Sequence, residues 1–354
     1  MQPELFPSQW PNLIVLLLPL KWLWIWFSRR FNVFAKTWNT SEPMATLLLD
    51  GVTFGEGPRF RRKTSSLYFS DMYAKKVVRY DLVTRSATVV HHHDGYVSGI
   101  GWLPDDRMLV VSMNNRRVLA IDEDADTSAW YADVSAVTRF RANDFVVAAT
   151  GNAYIGNFGF QLDAMRDFRT TTLVRIAPDQ SLHVAATDLF FPNGTVITPD
   201  GKTLIVAETF RCQLTAFDIQ PDGSLTNRRV WAYLGCPPDG ISLDAEGCIW
   251  VAVPQIELYK TSSALVRVRE GGEIVNLYGF GRNNIDRRVY SCQLGTDADG
   301  QHHLYFFEAF TPEEHALTCG DPAQARRNAL LKAIPVAVGP ALMPGNPNYS
   351  GGYC

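Results

Sequence analysis

The sequence predicts an all-β protein: a six-bladed β-propeller with four-stranded antiparallel blades around a central axis. Six short strand patterns of one kind recur, their starts lie 42 to 55 residues apart, and turn signals such as TGN (150–152) and PDGKT (199–203) precede most of them. The patterns are LYFSDM from Leu67, LVVSMN from Leu109, AYIGNF from Ala153, LIVAET from Leu204, IWVAVP from Ile249 and LYFFEA from Leu304. Repeats of this length have room for about four strands, and a closed ring of them brings one strand of every blade to a common axis.

Each pattern is the second strand of its blade, and strand-like segments flank it. The first strands are GEGPRF, VSGIGWL, ANDFVV, PNGTVI, PPDGIS and YSCQLG. Third strands are predicted at 77–82, 117–122, 172–177, 214–219 and 264–269, and fourth strands at SATVVH, LHVAAT, RVWAYL and EIVNLY. Apolar and polar residues alternate in these segments, which is typical of half-buried strands.

The ring needs a closing contact between the two ends of the chain. We expect the strand near 45–49 to pair with residues around 331–338, because both segments are strand-like and would otherwise leave open sheet edges. A helix is predicted near 313–332, where Glu, Ala and Arg are common. Residues 335–354 are rich in Pro and Gly and are expected to run over the surface, and the flexible tail proper is assigned to 341–354.

The composition is that of an ordinary globular protein, with 46% hydrophobic and 19% charged residues and a net charge of −3. No basic block occurs in the repeats, so no nucleic-acid partner is predicted. Six cysteines without CxxC spacing fit reduced thiols and a cytoplasmic location. The sequence does not indicate an oligomeric state.

Residues 1–43 precede the propeller, which is assigned to 44–340. The segment 13–27 is almost wholly apolar, and tryptophan is frequent within it and around it. It is shorter than the roughly 20 residues of a spanning helix. It also lacks the basic start and cleavage site of a signal peptide. Two interpretations stay open: an extension that is not part of the native domain, or a membrane-associating segment that leaves the propeller in the cytoplasm.

One register of the first strands carries small or polar residues. They are Glu56, Ser98, Asn143, Asn193, Asp239 and, with a less secure alignment, Ser291. Glycine follows Glu56, Asn193 and Asp239 directly, which suits close backbone packing at a crowded axis. Since turn chemistry does not require a shared register, the repetition predicts that these side chains face one central cavity. Oxygen ligands with two negative charges suit one divalent cation, Ca²⁺, Mg²⁺ or Mn²⁺, and Zn²⁺ also fits if carboxylates dominate.

These segments resemble the SMP-30/gluconolactonase/LRE family of six-bladed propellers. The matching segments are LLDGVTFGEGPRF, FSDM, SGIGWLPDDRMLVVSM, YIGNFGF, FPNGTVITPDGKTLIVAETF and CPPDGISLDAEGCIWVAVP. The resemblance implies a metal-dependent hydrolase that opens sugar lactones or related esters. It implies Glu56, Asn193 and Asp239 as metal ligands, Asn143 in contact with substrate or a metal-bound water, and Arg141 in substrate binding. Arg139 is a second candidate for the arginine.

The sequence departs from the family at one position of the site. The family's Asn-Asp-Gly is Asn143-Asp144-Phe145 here, and the phenylalanine is expected to narrow the space beside the axis or to turn the strand. Asp239 is the first candidate for the general base, by resemblance, and Asp144 the second. Phe158, Phe160 and Tyr154 are interpreted as core packing between blades, with a place at the substrate mouth as the alternative.

Two other functions remain compatible with the same fold. One is a non-catalytic propeller that binds a small molecule or a partner and holds a structural axial ion. The other is an enzyme similar to strictosidine synthase or paraoxonase.

Overall fold

The computed structural model describes residues 44–162, 166–256, 263–280, 287–310 and 329–341. In these residues the strands form six four-stranded antiparallel sheets, so the predicted propeller is confirmed. The predicted extension 1–43, its apolar segment 13–27 and tail residues 342–354 lie outside the described residues. Within the described part of the chain, no helix has the length and apolar character needed to cross a bilayer.

Blades one to three follow one another along the chain, and each runs from an inner strand to an outer one. Blade one consists of β2 (Gly55–Arg61), β3 (Ser66–Asp71), β4 (Lys76–Asp81) and β5 (Ser86–His92). Blade two consists of β6 (Val97–Trp102), β7 (Met108–Ser112), β8 (Arg117–Asp122) and β9 (Thr127–Asp133). Blade three consists of β10 (Ala142–Val147), β11 (Ala153–Asn157), β12 (Thr171–Ile176) and β13 (Leu182–Leu189).

Blades four and five repeat this order, and blade six uses both ends of the chain. Blade four consists of β14 (Pro192–Ile197), β15 (Thr203–Glu208), β16 (Gln213–Ile219) and β17 (Leu225–Tyr233). Blade five consists of β18 (Ile241–Leu243), β19 (Ile249–Val253), β20 (Ser263–Val268) and β21 (Ile274–Phe280). Blade six consists of β22 (Arg287–Thr296), β23 (His302–Phe310), β24 (Ala329–Pro335) and β1 (Thr46–Val52). Short 3₁₀ turns lie at Arg62–Thr64, Val134–Ala136 and Thr209–Arg211.

The ring closes where the sequence predicts. β1 pairs with β24, with Thr46 opposite Ala333 and Leu49 opposite Leu331. The outermost strand of blade six therefore comes from the start of the domain, while its other strands come from the end. This pairing removes two open edges at once.

Two expectations about the end of the chain were wrong in part. Residues 329–332 belong to β24 and not to a helix, because they complete the sheet of blade six. The rest of the predicted helix lies outside the described residues. Pro340 and Ala341 are buried, and Ala341 donates its backbone N–H to the carbonyl of Leu243 in blade five. The segment 339–341 is thus attached to the propeller instead of running freely over its surface.

The core lies between neighbouring blades, as expected for sheets that cannot bury both faces alone. The rings of Phe69 and Phe307 are 4.8 Å apart between blades one and six, and those of Tyr68 and Trp102 are 5.0 Å apart between blades one and two. Tyr154 is fully buried and its hydroxyl donates to the carbonyl of Gly223, which confirms its place in the core.

The closing strand gives a test of stability. Leu331 is 0% exposed and pairs with both β1 and β23, so Leu331→Ala should cost about 2–5 kcal/mol in the free energy of unfolding. Leu330→Ala removes the same atoms from a neighbouring, partly exposed side chain and should cost clearly less. Urea denaturation of both variants measures the difference, and equal losses would show that closure does not depend on this buried contact.

Candidate functional site

The inner strands of all six blades begin on the same face of the propeller. Each blade has four antiparallel strands, so its fourth strand ends on the face where the next inner strand starts. We call this the upper face. Glu56, Ser98, Asn143 and Asn193 are the second residues of β2, β6, β10 and β14, and Asp239 lies two residues before β18. The predicted site residues therefore share one level near the upper face.

The regular pairing of the inner strands is interrupted at this level. The register shifts between Glu56 and Arg59, between Val97 and Ile100, between Ala142 and Phe145, and between Pro192 and Thr195. Irregularities of this kind re-aim side chains and are common beside functional sites. Here each one lies at or directly beside a predicted site residue.

Glycines allow the inner strands to touch one another at the axis. A Cβ atom on Gly194 would lie 2.6 Å from the Asp239 carbonyl oxygen, and one on Gly240 would lie 2.8 Å from the Ser291 Cα. Gly57 also lies close to blade two, although less tightly, with a Cβ position 3.2 Å from the Gly99 Cα. The glycines after Glu56, Asn193 and Asp239 thus have the role predicted for them, which is close backbone approach.

Hydrogen bonds connect the polar residues around the axis. Ser98 Oγ donates to Asn143 Oδ1 at 3.3 Å, and Asn143 Nδ2 donates to Asn193 Oδ1 at 3.0 Å. The Asn193 side chain is hydrogen-bonded in turn to Asp239 and to Thr209. Residues from blades two, three, four and five are therefore in contact, although they are far apart in the sequence.

Three carboxylates lie close enough together at the axis to perturb one another. Burial raises the pKa of Glu56 well above its usual range, and the charges of Asp239 and Asp144 add to this. Burial and the charge of Asp144 raise the pKa of Asp239 to about 8. Glu56 and Asp239 nevertheless keep part of their exposure, so they face an accessible space. Mutual repulsion in a poorly solvated place is what a bound cation would relieve.

Arg59 supplies a buried positive charge to this cluster. Its Nη2 lies 2.7 Å from Asp144 Oδ1 and also donates to the carbonyl of Phe145, while Nε and Nη1 donate to the carbonyls of Ile100 and Pro58. Burial raises the pKa of Asp144, and Arg59 opposes the shift. Sequence reasoning did not single out Arg59, because its partner lies 85 residues further along the chain.

The donor set fits a hard divalent cation. Carboxylates of Glu56 and Asp239 and side-chain amides of Asn143 and Asn193 lie at one level and could provide oxygen ligands. Among the described residues, no three Asp, Glu, His or Cys side chains converge closely enough to hold an ion by themselves. A cation at this level would therefore need the amide oxygens as well. Cys236 and Cys292 are buried free thiols whose pKa is raised by burial, which suits packing.

The two candidate arginines differ in their surroundings. The guanidinium of Arg141 lies over the ring of Tyr96, 5.6 Å from its centroid, and the residue is partly buried two positions before Asn143. Arg139 is exposed and lies over Phe140 at 5.5 Å. Arg141 is thus the better placed of the two to reach a molecule above the carboxylates.

Phe145 does not line the axial space. It is 0% exposed, and its ring occupies the room left by Gly99 and Gly101 of blade two, where added Cβ atoms would lie 2.7 and 3.4 Å from ring atoms. The departure from the family pattern therefore changes the packing between blades two and three. The adjacent Asp144 is held by Arg59 in the same contact region.

Two buried acidic residues hold the segments that lead into two of the inner strands. Asp71 Oδ1 accepts from the backbone and hydroxyl of Thr53 and from the backbone N–H of Phe54, just before Glu56. Glu208 does the same in blade four, where it accepts from the Phe190 N–H at 2.8 Å, three residues before Asn193. Both lie at the end of a second strand, and this shared position is the sequence signal that could have identified them.

A separate groove lies away from this site. It has a volume of about 680 Å³, and it is lined by the β2–β3, β6–β7 and β8–β9 turns between blades one and two. Its charged groups pair with one another: Arg61 and Lys63 both contact the carboxylate of Asp106. It contains none of the predicted site residues.

A six-bladed propeller with a carboxylate and amide cluster at its axis defines the class of this protein. The family pattern described as "SMP-30/Gluconolactonase/LRE-like region" matches residues 54–305, so the chain belongs to this family. It is 26% identical over 267 residues to regucalcin from Danio rerio, covering 69% of this chain and 85% of that protein. It is 26% identical over 259 residues to the pentonolactonase XacC from Haloferax volcanii, covering 70% and 83%.

A solved structure shares the fold. The crystal structure of a calcium-binding protein, regucalcin, from Agrobacterium tumefaciens matches with a TM-score of 0.67 at 18% identity. The match covers 85% of this chain and 97% of that one.

The packing at Gly99 can be tested directly. A Cβ at this position would lie 2.7 Å from Phe145 Cδ1 and 2.8 Å from Asp144 Oδ1, so Gly99→Ala should displace both and weaken the cation affinity about tenfold or more. Gly95→Ala is the control, because a Cβ there meets nothing closer than 3.9 Å. Titration calorimetry with Ca²⁺ or Mn²⁺ compares the two variants, and equal affinities would show that this contact does not support the site.

Proposed function

We propose that the protein is a metal-dependent hydrolase that opens a lactone or a related ester at the propeller axis. The single observation that supports this most is the group of Glu56, Asp239 and Asp144 at one end of the axis, part of it exposed, with Arg59 as a buried counter-charge. Such mutual repulsion is unfavourable for folding and is retained where it serves binding or chemistry. Membership of a family with lactonase relatives agrees with it.

Glu56, Asn193 and Asp239 would hold the cation, with Asn143 beside them. A divalent cation bound there would act as a Lewis acid and polarise the carbonyl of the substrate. Oxygen ligands can bind Ca²⁺, Mn²⁺, Mg²⁺ or Zn²⁺, so the metal has to be identified by measurement.

Asp239 is the proposed base. It is partly exposed and receives a hydrogen bond from Asn193, whereas the Asp144 carboxylate is committed to Arg59 at 2.7 Å. Asp239 would take a proton from the attacking water while the water oxygen bonds to the carbonyl carbon of the substrate. The bond between the carbonyl carbon and the ring oxygen then breaks, and the leaving oxygen receives the proton that Asp239 took from the water. Arg141 lies two residues before Asn143 and therefore closer to the upper face. It would orient the substrate and stabilise negative charge on the carbonyl oxygen of the substrate.

Activity should depend on the cation and on Asp239. A chelator should abolish hydrolysis of a panel of sugar, aliphatic and aromatic lactones and esters, and added divalent cation should restore it. Asp239→Asn should lower kcat/KM by at least about a thousandfold, while Asp299→Asn, in an exposed turn, should leave it unchanged. Full activity in chelator would contradict the metal mechanism. Cation binding without turnover of the whole panel would favour a non-catalytic binding propeller.

The same charge cluster predicts an effect on stability. In chelator, Asp239→Asn should raise the Tm above that of the wild type by about 3 °C or more, because it removes one of three repelling carboxylates. Cation addition should raise the Tm of the wild type but not of the variant, since only a protein that binds the ion gains stability from it. Differential scanning calorimetry measures both shifts. A variant that is stabilised by the ion as much as the wild type would rule out Asp239 as a ligand.

A further inference from the structure

We propose that the axial site takes lactones or esters with an aromatic or otherwise apolar body in preference to polyhydroxylated sugar lactones, and that Phe191 sets this preference. The inference rests on the proposed function, because it concerns the substrate of the same site. It depends on the layer of residues that lies directly above the carboxylates and on the backbone conformation of Phe191 in that layer.

Four inner strands carry an equivalent residue two positions before the site residue. These residues are Phe54, Tyr96, Arg141 and Phe191. Their backbone carbonyls all accept the same type of hydrogen bond from the neighbouring second strand, at 2.9 to 3.1 Å. Because the inner strands begin at the upper face, residues that lie directly before these strands are closer to that face than the carboxylates. A substrate from the upper face meets this layer first.

The layer is an almost continuous aromatic arc. Tyr73 connects Phe54 and Tyr96, with ring centroids 5.5 and 5.3 Å apart. Arg141 follows, with its guanidinium over the ring of Tyr96. Phe158 stacks on Phe191 with centroids 4.9 Å apart and an interplanar angle of 26°. The arc extends from blade one to blade four, and Tyr73, Tyr96 and Phe191 are partly exposed in it.

Phe191 is held in an unfavourable backbone conformation. Its φ is +56°, in the left-handed region that glycine and asparagine adopt far more readily than a bulky aromatic residue. The surrounding bonds impose it: Glu208 accepts from the N–H of Phe190, and the carbonyl of Phe191 accepts from Thr209 at 3.1 Å. Strain that is retained beside a reactive centre is associated with function. Here the strained backbone holds a partly exposed phenyl ring against Phe158, Phe160 and Phe210, two residues before Asn193.

A phenyl ring favours one class of substrate over the other. Each hydroxyl of a sugar lactone needs a hydrogen-bond partner when it leaves water, and the partly exposed ring of Phe191, which is stacked on the buried Phe158, offers none. A site that leaves such groups unpaired discriminates strongly against them. An aromatic body would instead bury apolar surface against the ring of Phe191. The geometry thus assigns the apolar part of the substrate to this layer.

The test compares two lactones and two variants. With cation added, the wild type should hydrolyse dihydrocoumarin with a kcat/KM at least about tenfold above that for glucono-δ-lactone. Phe191→Asn, which tolerates the left-handed backbone, should lower kcat/KM for dihydrocoumarin about tenfold and change that for gluconolactone by less than about twofold. Phe190→Asn is the matched control, because it removes the neighbouring phenyl ring that also contacts Phe210 and leaves Phe191 in place, and it should leave the ratio unchanged. A preference of the wild type for gluconolactone would overturn the inference.

A binding measurement separates this inference from the proposed chemistry. The lactam 3,4-dihydroquinolin-2-one resists hydrolysis, and calorimetry should show that it binds more tightly than gluconolactam. Phe191→Asn and Tyr96→Asn should each weaken it several-fold, so that one variant suffices if the other does not fold. Equal affinities in wild type and both variants would overturn the inference. If no lactone or ester is hydrolysed with any cation, the proposed function is wrong, while the lactam comparison still decides the preference.

Discussion

The structure depends on how closely the inner strands approach one another at the axis. Between blades four and five, a single Cβ on Gly194 would come within 2.6 Å of the next backbone, and Gly240 has the same constraint between blades five and six. Only glycine allows this contact, so the residue before it, Asn193 or Asp239, is fixed at the level of the axis. The irregular pairing of the inner strands at that level follows from the same crowding. The close packing of the inner strands and the geometry of the site are therefore two results of one constraint at the axis.

The cluster at the axis is unfavourable for the fold that carries it. Burial acts on Glu56, Asp144 and Asp239, and repulsion between carboxylates adds to it at Glu56 and Asp239. Arg59 opposes these effects at Asp144, which it contacts directly, and also at Glu56. The protein accepts this cost in one small region because the surrounding sheets are held by extensive packing between blades. The buried acids Asp71 and Glu208 belong to a different group, since each is satisfied by hydrogen bonds that hold the start of an inner strand.

Much of the fold could be predicted because its signals are local. Alternating strand patterns and Asp-Gly turns identified most strands, and closure between 45–49 and β24 followed from the need to remove open edges. The helix near 313–332 was wrong for 329–332, because composition favours a helix there while the sheet needs a fourth strand. Strand β9 was not predicted, since its polar residues lie on an exposed outer edge with little apolar pattern. Arg59 was missed because nothing near it in the sequence indicates its partner.

By itself, the sequence determined the number of blades, the order of their strands and the register in which Glu56, Asn143, Asn193 and Asp239 recur, because each of these follows from a periodic pattern of residue types. The tertiary structure alone decided that Arg59 engages Asp144 and leaves Asp239 partly exposed. It also decided that Phe145 fills the space between blades two and three instead of lining the axial space. Both outcomes depend on distances between blades that are far apart in the chain, and a repeat pattern contains no information about which neighbouring side chain occupies a shared space.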